Sequence, residues 1–125
     1  MSEELMVRHC APTLAGLKAG SLFSCDAPCA QELKCQIRAL NRKLVPKGLR
    51  VLPLRVRSGR ALIYVYRPSG LQRSLDDAQA RQLLQDYGYS PANAEGCLLR
   101  LAQRLRNAEE FPHEIGLFLD YPPED

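Results

Sequence analysis

The stretch Leu49-Arg50-Val51-Leu52-Pro53-Leu54-Arg55-Val56-Arg57-Ser58-Gly59-Arg60-Ala61-Leu62-Ile63-Tyr64-Val65-Tyr66-Arg67 decides the fold. Its halves, Leu49 to Arg57 and Arg60 to Arg67, are rich in β-branched and aromatic residues. Ser58-Gly59 between them suits a two-residue hairpin loop. With that loop, Arg57 faces Arg60 and Leu54 faces Ile63. Alternation then places Leu52, Leu54, Val56, Ala61, Ile63 and Val65 on one face, the expected core face. Pro53, Arg55, Arg57, Arg60, Leu62, Tyr64 and Tyr66 fall on the other. A slip of one residue would exchange the two faces.

Working outward toward the N-terminus, Asp26 is a suitable N-cap, and Pro28 follows in the first turn of a helix running to about Leu44. Cys29, Leu33, Ile37, Leu40 and Leu44 form its apolar stripe, and Lys34, Cys35, Arg38 and Arg42 fall on the far side. Pro46 and Gly48 end it. Ser21 to Cys25 reads as a short strand, and residues 2 to 10 as a short helix closed by Pro12. Toward the C-terminus, Ser74-Leu75-Asp76-Asp77 resembles a capping box opening a helix to about Tyr87, closed by Gly88. Ser90-Pro91 opens another, with Ala94, Cys97, Leu98, Leu101 and Leu105 as its buried stripe. Ile115 to Leu119 reads as a last strand.

The order is a short N-terminal helix and then β-α-β-β-α-α-β. This predicts an α+β protein with a three- to four-stranded mixed or antiparallel sheet and helices on one face. A ferredoxin-like split βαβ arrangement is the expected topology.

At 125 residues the chain fits one domain and can bury a core without covalent staples. An apolar fraction of 46% with 25% charged residues excludes a disordered or fibrous chain. No apolar run nears the ~18 residues that span a bilayer, so no membrane partner is expected. The acidic start Met1-Ser2-Glu3-Glu4, with no apolar run after it, predicts a cytoplasmic protein. Cys10, Cys25, Cys29, Cys35 and Cys97 are then reduced thiols, and their odd number fits that.

Charge is distributed unevenly. Residues 34 to 73 hold eleven Lys or Arg and no Asp or Glu, while the flanks 1 to 33 and 74 to 125 sum to −2 and −6. Arg55, Arg57 and Arg60 share the outer hairpin face with Tyr64 and Tyr66. Guanidinium groups bind phosphate oxygens and tyrosine rings stack on bases, so this face is the candidate site for nucleic acid or another anionic partner. The competing reading is internal, with the basic centre folded against the acidic C-terminal half. A second candidate is Cys25-Asp26-Ala27-Pro28-Cys29, between a strand end and a helix N-terminus, where a thiol's pKa falls. Its three-residue spacing departs from the two residues of thiol oxidoreductases. No zinc-type spacing, phosphate-binding loop, dinucleotide fingerprint or catalytic-serine motif is present, so neither a metal site nor a catalytic residue is assigned.

Four separated motifs carry a family resemblance: His9-Cys10-Ala11-Pro12-Thr13-Leu14-Ala15-Gly16-Leu17-Lys18 with Leu22-Phe23-Ser24-Cys25; Tyr64-Val65-Tyr66-Arg67-Pro68; Phe111-Pro112-His113-Glu114-Ile115-Gly116-Leu117-Phe118-Leu119; and Tyr121-Pro122-Pro123-Glu124-Asp125. Across its whole length the chain resembles a domain-of-unknown-function family of small bacterial proteins, common in anaerobes and with no assigned activity. The resemblance singles out His9, Cys10, His113 and Glu114 as further candidates. It also implies relatives with Gly at the position of Asp120 and a further helical, cysteine-bearing segment after the last motif. It supplies no function, and the cofactor stays unknown. The function expected from the residues is therefore a non-enzymatic module binding an anion through the Arg/Tyr hairpin face. The alternative is a thiol-redox or metal-handling accessory protein using Cys25 and Cys29.

Overall fold

A computed structural model describes residues 3–89, 93–107, 112 and 114–119. Its centre is the hairpin of β2 (Arg50–Arg57) and β3 (Arg60–Tyr66), with β1 (Gly20–Asp26) on the other side of β3. Both outer strands run antiparallel to β3, from Gly20 opposite Tyr66 to Asp26 opposite Arg60, and from Arg50 opposite Tyr66 to Arg57 opposite Arg60. The hairpin turns on Ser58 and Gly59, both at positive φ (54° and 74°), which matches the twist of the flanking strands. β1 and β2 are thus parallel with β3 inserted between them, the split βαβ relation.

Helices cover both faces of the sheet, not one. On one side lie α1 (Glu3–Leu14) and α2 (Ala30–Leu44). They pack Met6, Cys10, Leu33, Ile37, Leu40 and Leu44 against Phe23, Cys25, Val51, Ala61, Ile63 and Val65. On the other side lie α3 (Pro68–Leu75), α4 (Ala78–Asp86), α5 (Ala94–Asn107) and the short α6 (Ile115–Phe118). They enclose Leu54, Leu62, Tyr64 and Tyr66. The physical reason is β3 itself. Ala61 to Tyr66 is an unbroken apolar run, and every one of its residues is buried, as in a strand covered on both faces.

Two expected faces change. The ladder slips between Pro53 and Arg55, so Pro53, not Leu54, lies opposite Ile63. Leu54 is the extra residue of a β-bulge on an edge strand, where Pro53's missing N–H does no harm. Leu54 and Leu52 therefore face α3–α6 and not the side of Ala61, Ile63 and Val65, while Val56 stays opposite Ala61 on the expected side but is exposed near the hairpin tip.

The capping residues also shift. Cys29, not Asp26, is the N-cap residue of α2, and Asp77 caps α4 by accepting from the amides of Gln79 and Ala80. Pro68 opens the unanticipated α3. Pro12 lies inside the last turn of α1 and does not close it at residue 10. Ser90-Pro91 lies outside the described residues. The expected last strand, Ile115–Leu119, is helical over Ile115–Phe118. A five-residue apolar run suits a buried helix as well as a strand, and here side-chain anchors decide. Glu114, with no exposed surface, accepts from Tyr89 Oη (2.9 Å) and pairs with Arg104, which also lies over the Tyr87 ring. Tyr64 Oη donates to the Phe118 carbonyl. No helix among the described residues is long and apolar enough to cross a membrane.

Candidate anion-binding surface

The five residues of the expected Arg/Tyr face do not form one open surface. Tyr64 and Tyr66 point toward α3–α6, and only 1% and 4% of their surface is exposed. Their rings stack on each other at 4.9 Å. No ring face is left for a base, so the stacking platform is corrected. Arg55 keeps its expected side, opposite Leu62, but α5 covers that side: Arg55 is half-buried, and its Nη1 donates to the Leu105 carbonyl at the end of α5 (3.3 Å). Arg60 is exposed and donates to Asp26 Oδ1 (2.7 Å). Arg57 is exposed at the tip.

The basic stretch opens to solvent elsewhere. Lys34, Arg38 and Arg42 stand at four-residue intervals on the exposed side of α2, opposite the buried Leu33, Ile37, Leu40 and Leu44. Four residues of helix rise about 6 Å, so the three charges form a stripe of nearly even spacing. Among the described side chains, no acidic group pairs with any of them. Two ion pairs between described side chains reach the basic stretch, Lys43–Glu3 (2.6 Å) and Arg60–Asp26. Both acids come from the N-terminal flank. Asp76 pairs with Arg81, and Glu114 with Arg104, both within the C-terminal half. The exposed pairs Lys43–Glu3, Arg60–Asp26 and Arg81–Asp76 contribute little to stability, unlike that of the buried Glu114.

The thiol pair separates. Cys25 is buried on the α1–α2 side of β1, while Cys29 is exposed, not on the buried stripe of α2. Cys35 is exposed and Cys97 buried, as the helical phases predict. No group of three or more potential metal ligands occurs among the described residues.

The motif residues have packing partners. His9 stacks on Phe23, with centroids 5.4 Å apart and rings nearly parallel. Cys10 is buried beside Ser21, and Ser21 Oγ shares a 2.6 Å hydrogen bond with Thr13. Burial, the largest cause, pushes the Cys10 thiol up to about 11, against the lowering effect of nearby Lys18. Glu114 is the anchor of α6 described above, and His113 lies outside the described residues. Burial and then the hydrogen bond to Glu114 push the Tyr89 hydroxyl above the ordinary tyrosine range.

Sequence reasoning passed over Arg67. Its Nε donates to the Thr13 carbonyl (2.9 Å) and its Nη2 to the Leu14 carbonyl (2.8 Å), closing the end of α1. An arginine directly before a helix-opening proline was the available signal.

The fold is thus an α+β protein in which a three-stranded antiparallel sheet lies between two helical layers, with a cationic helix face turned outward. Residues 6–125 match the family described as Protein of unknown function (DUF3793), and the chain belongs to that family. In comparisons with curated proteins and with solved structures, nothing matches.

Proposed function

We propose that the protein is a non-enzymatic binding module for a polyanion, held on the outward face of α2. The observation that carries the reading is the exposed stripe Lys34, Arg38 and Arg42, with no acidic partner among the described residues. Evenly spaced cations on one helix face suit a partner with regularly repeated negative charge, and single-stranded nucleic acid is the favoured one. Recognition is then electrostatic and tolerant of sequence, because no aromatic ring of the hairpin is available to stack on bases. Of the original face, Arg57 and Arg60 stay exposed near the hairpin tip, and Arg60 pairs with Asp26.

The test is binding of heparin and of a fluorescent single-stranded oligonucleotide across a salt series. Three neutralised phosphates on a single strand give a log–log salt slope of about −2. The triple variant Lys34→Gln, Arg38→Gln, Arg42→Gln should lose most of the affinity and flatten the slope while keeping the wild-type circular dichroism spectrum. Absence of binding by the wild type at low ionic strength sinks the proposal, as does unchanged affinity in the triple variant.

A further inference from the structure

A second basic feature lies at the end of the sheet where β1 begins and β3 ends. There the loop after α1 and α3, from Arg67 before it to Ser74 in its last turn, line a cleft of ≈ 310 Å³. Lys18, Arg67, Arg73 and Ser74 line it, with Leu17 and Gly70 beside them, and no described carboxylate does. Arg67 is fixed in place. Its guanidinium spans the carbonyls of Thr13 and Leu14 and reaches that of Lys47 (3.5 Å), which still leaves N–H groups to spare. Leu17 is 82% exposed, which places a bare apolar side chain next to three cationic residues and a hydroxyl.

These groups differ in what they offer. Lysine is a compact point charge, arginine a planar fork of donors, and a serine hydroxyl can both donate and accept. A phosphomonoester carries between one and two negative charges at neutral pH and presents three acceptor oxygens, which need several convergent donors. A carboxylate offers one charge and two oxygens and would leave much of this set unused. The exposed leucine then has a role at the rim, against the organic part of the ester. We infer that this cleft binds a phosphomonoester. Lys18 and Arg73 contact the phosphate, Arg67 supplies fixed positive charge behind it, and Leu17 touches the group that it esterifies. The site is separate from the α2 stripe and uses none of its three cations.

The test is titration of the full chain with inorganic phosphate, phenyl phosphate and benzoate, followed by amide NMR and calorimetry. Saturable shifts at Gly16, Lys18 and Gly70 are expected with both phosphates, with phenyl phosphate binding tighter and benzoate weakest. Lys18→Gln and Arg73→Gln should each weaken phenyl phosphate by about tenfold, the loss expected for one charge-assisted contact. Leu17→Ala should weaken phenyl phosphate and leave inorganic phosphate unchanged. The α2 triple variant should bind both as wild type does, so failure here and failure of the polyanion proposal can be told apart. A 5′-phosphorylated oligonucleotide compared with its unphosphorylated form shows whether the ester belongs to a small molecule or to the end of a polymer. No saturable shift with either phosphate, or wild-type affinity in both charge variants, would overturn the inference.

Discussion

Replacing Gly20 with alanine tests the packing that joins α6 to the sheet. A Cβ at this position would stand 2.5 Å from the Phe118 carbonyl oxygen, 2.5 Å from Tyr64 Oη and 2.6 Å from Tyr64 Cε1. None of these atoms moves easily. Tyr64 and Phe118 are both fully buried, and the hydroxyl and carbonyl are bonded to each other. Forcing a methyl into a filled core costs roughly 1–3 kcal/mol, and breaking the Tyr64–Phe118 hydrogen bond adds about 1 kcal/mol. The expected loss is therefore roughly 2–4 kcal/mol, a fall in Tm of about 10 °C for a domain of this size. Urea and thermal denaturation followed by circular dichroism measure it. Adding Tyr64→Phe supplies an internal check. Alone it should cost about 1 kcal/mol, but in the Gly20→Ala background it should cost less, because the hydroxyl is already displaced there. A Gly20→Ala stability within about 0.5 kcal/mol of wild type would refute this packing.

Three further outcomes follow from burial and charge. In the folded protein, Ellman's reagent should titrate Cys29 and Cys35 quickly and Cys10, Cys25 and Cys97 slowly, with all five reacting in guanidinium. A fast Cys25 would contradict its place in the core. The raised pKa values of Cys10 (from 9.0 to about 11) and Tyr89 mean that the folded state holds these protons more tightly than the unfolded chain does. The contribution of Cys10 is full below pH 9 and is lost as pH rises toward 11, whereas that of Tyr89 is full below pH 10 and only begins to fall above it. Urea midpoints should therefore fall across that interval, and Cys10→Ala should flatten its lower part. Glu114→Gln should cost roughly 2–4 kcal/mol, less than for a fully buried pair because the Arg104 side chain is 31% exposed, and denaturation midpoints would show it.

What could be read from the sequence was local. Ser58-Gly59 located the hairpin because few residues tolerate the turn it requires, and the helical phases of α2 and α5 located their buried stripes. The placement of β3 was misread for a reason visible in its neighbour. The arginines of β2 suggested a solvent face, yet Ala61 to Tyr66 carries no polar residue except the tyrosine hydroxyls. A continuous apolar run was the stronger signal, and it called for helices on both sides. Burial of Tyr64 and Tyr66 then removed the stacking half of the expected site. The basic half lies on α2, whose Lys34, Arg38 and Arg42 the helical phase already sets opposite the buried stripe. The cleft at Lys18, Arg67 and Arg73 was beyond periodicity altogether. It depends on the loop after α1 meeting α3, far apart in sequence, at one end of the sheet, and only tertiary structure fixes that meeting.

The bulge is the one place where a single residue redirects the chemistry of a whole face, and it can be tested by mutation. In a regular strand Leu54 and Val56 lie two residues apart and share a side, so truncating either would cost a similar amount. With the extra residue between Pro53 and Arg55, they part. Leu54 is 3% exposed among Leu62, Tyr64 and the helices α3–α6, whereas Val56 is 43% exposed on the other side. Leu54→Ala should therefore cost roughly 2–5 kcal/mol, as for other buried leucines. Val56→Ala should cost under about 1 kcal/mol, mostly through lost β-propensity. The same slip moves Leu52 to the side of Tyr64 and the helices α3–α6, while Arg55 and Arg57, on the turn side of it, keep the register that the Ser58-Gly59 loop sets. Equal costs for the two truncations, measured by urea denaturation, would mean a regular strand. Leu54 would then return to the side of Val56, and Leu52 with it.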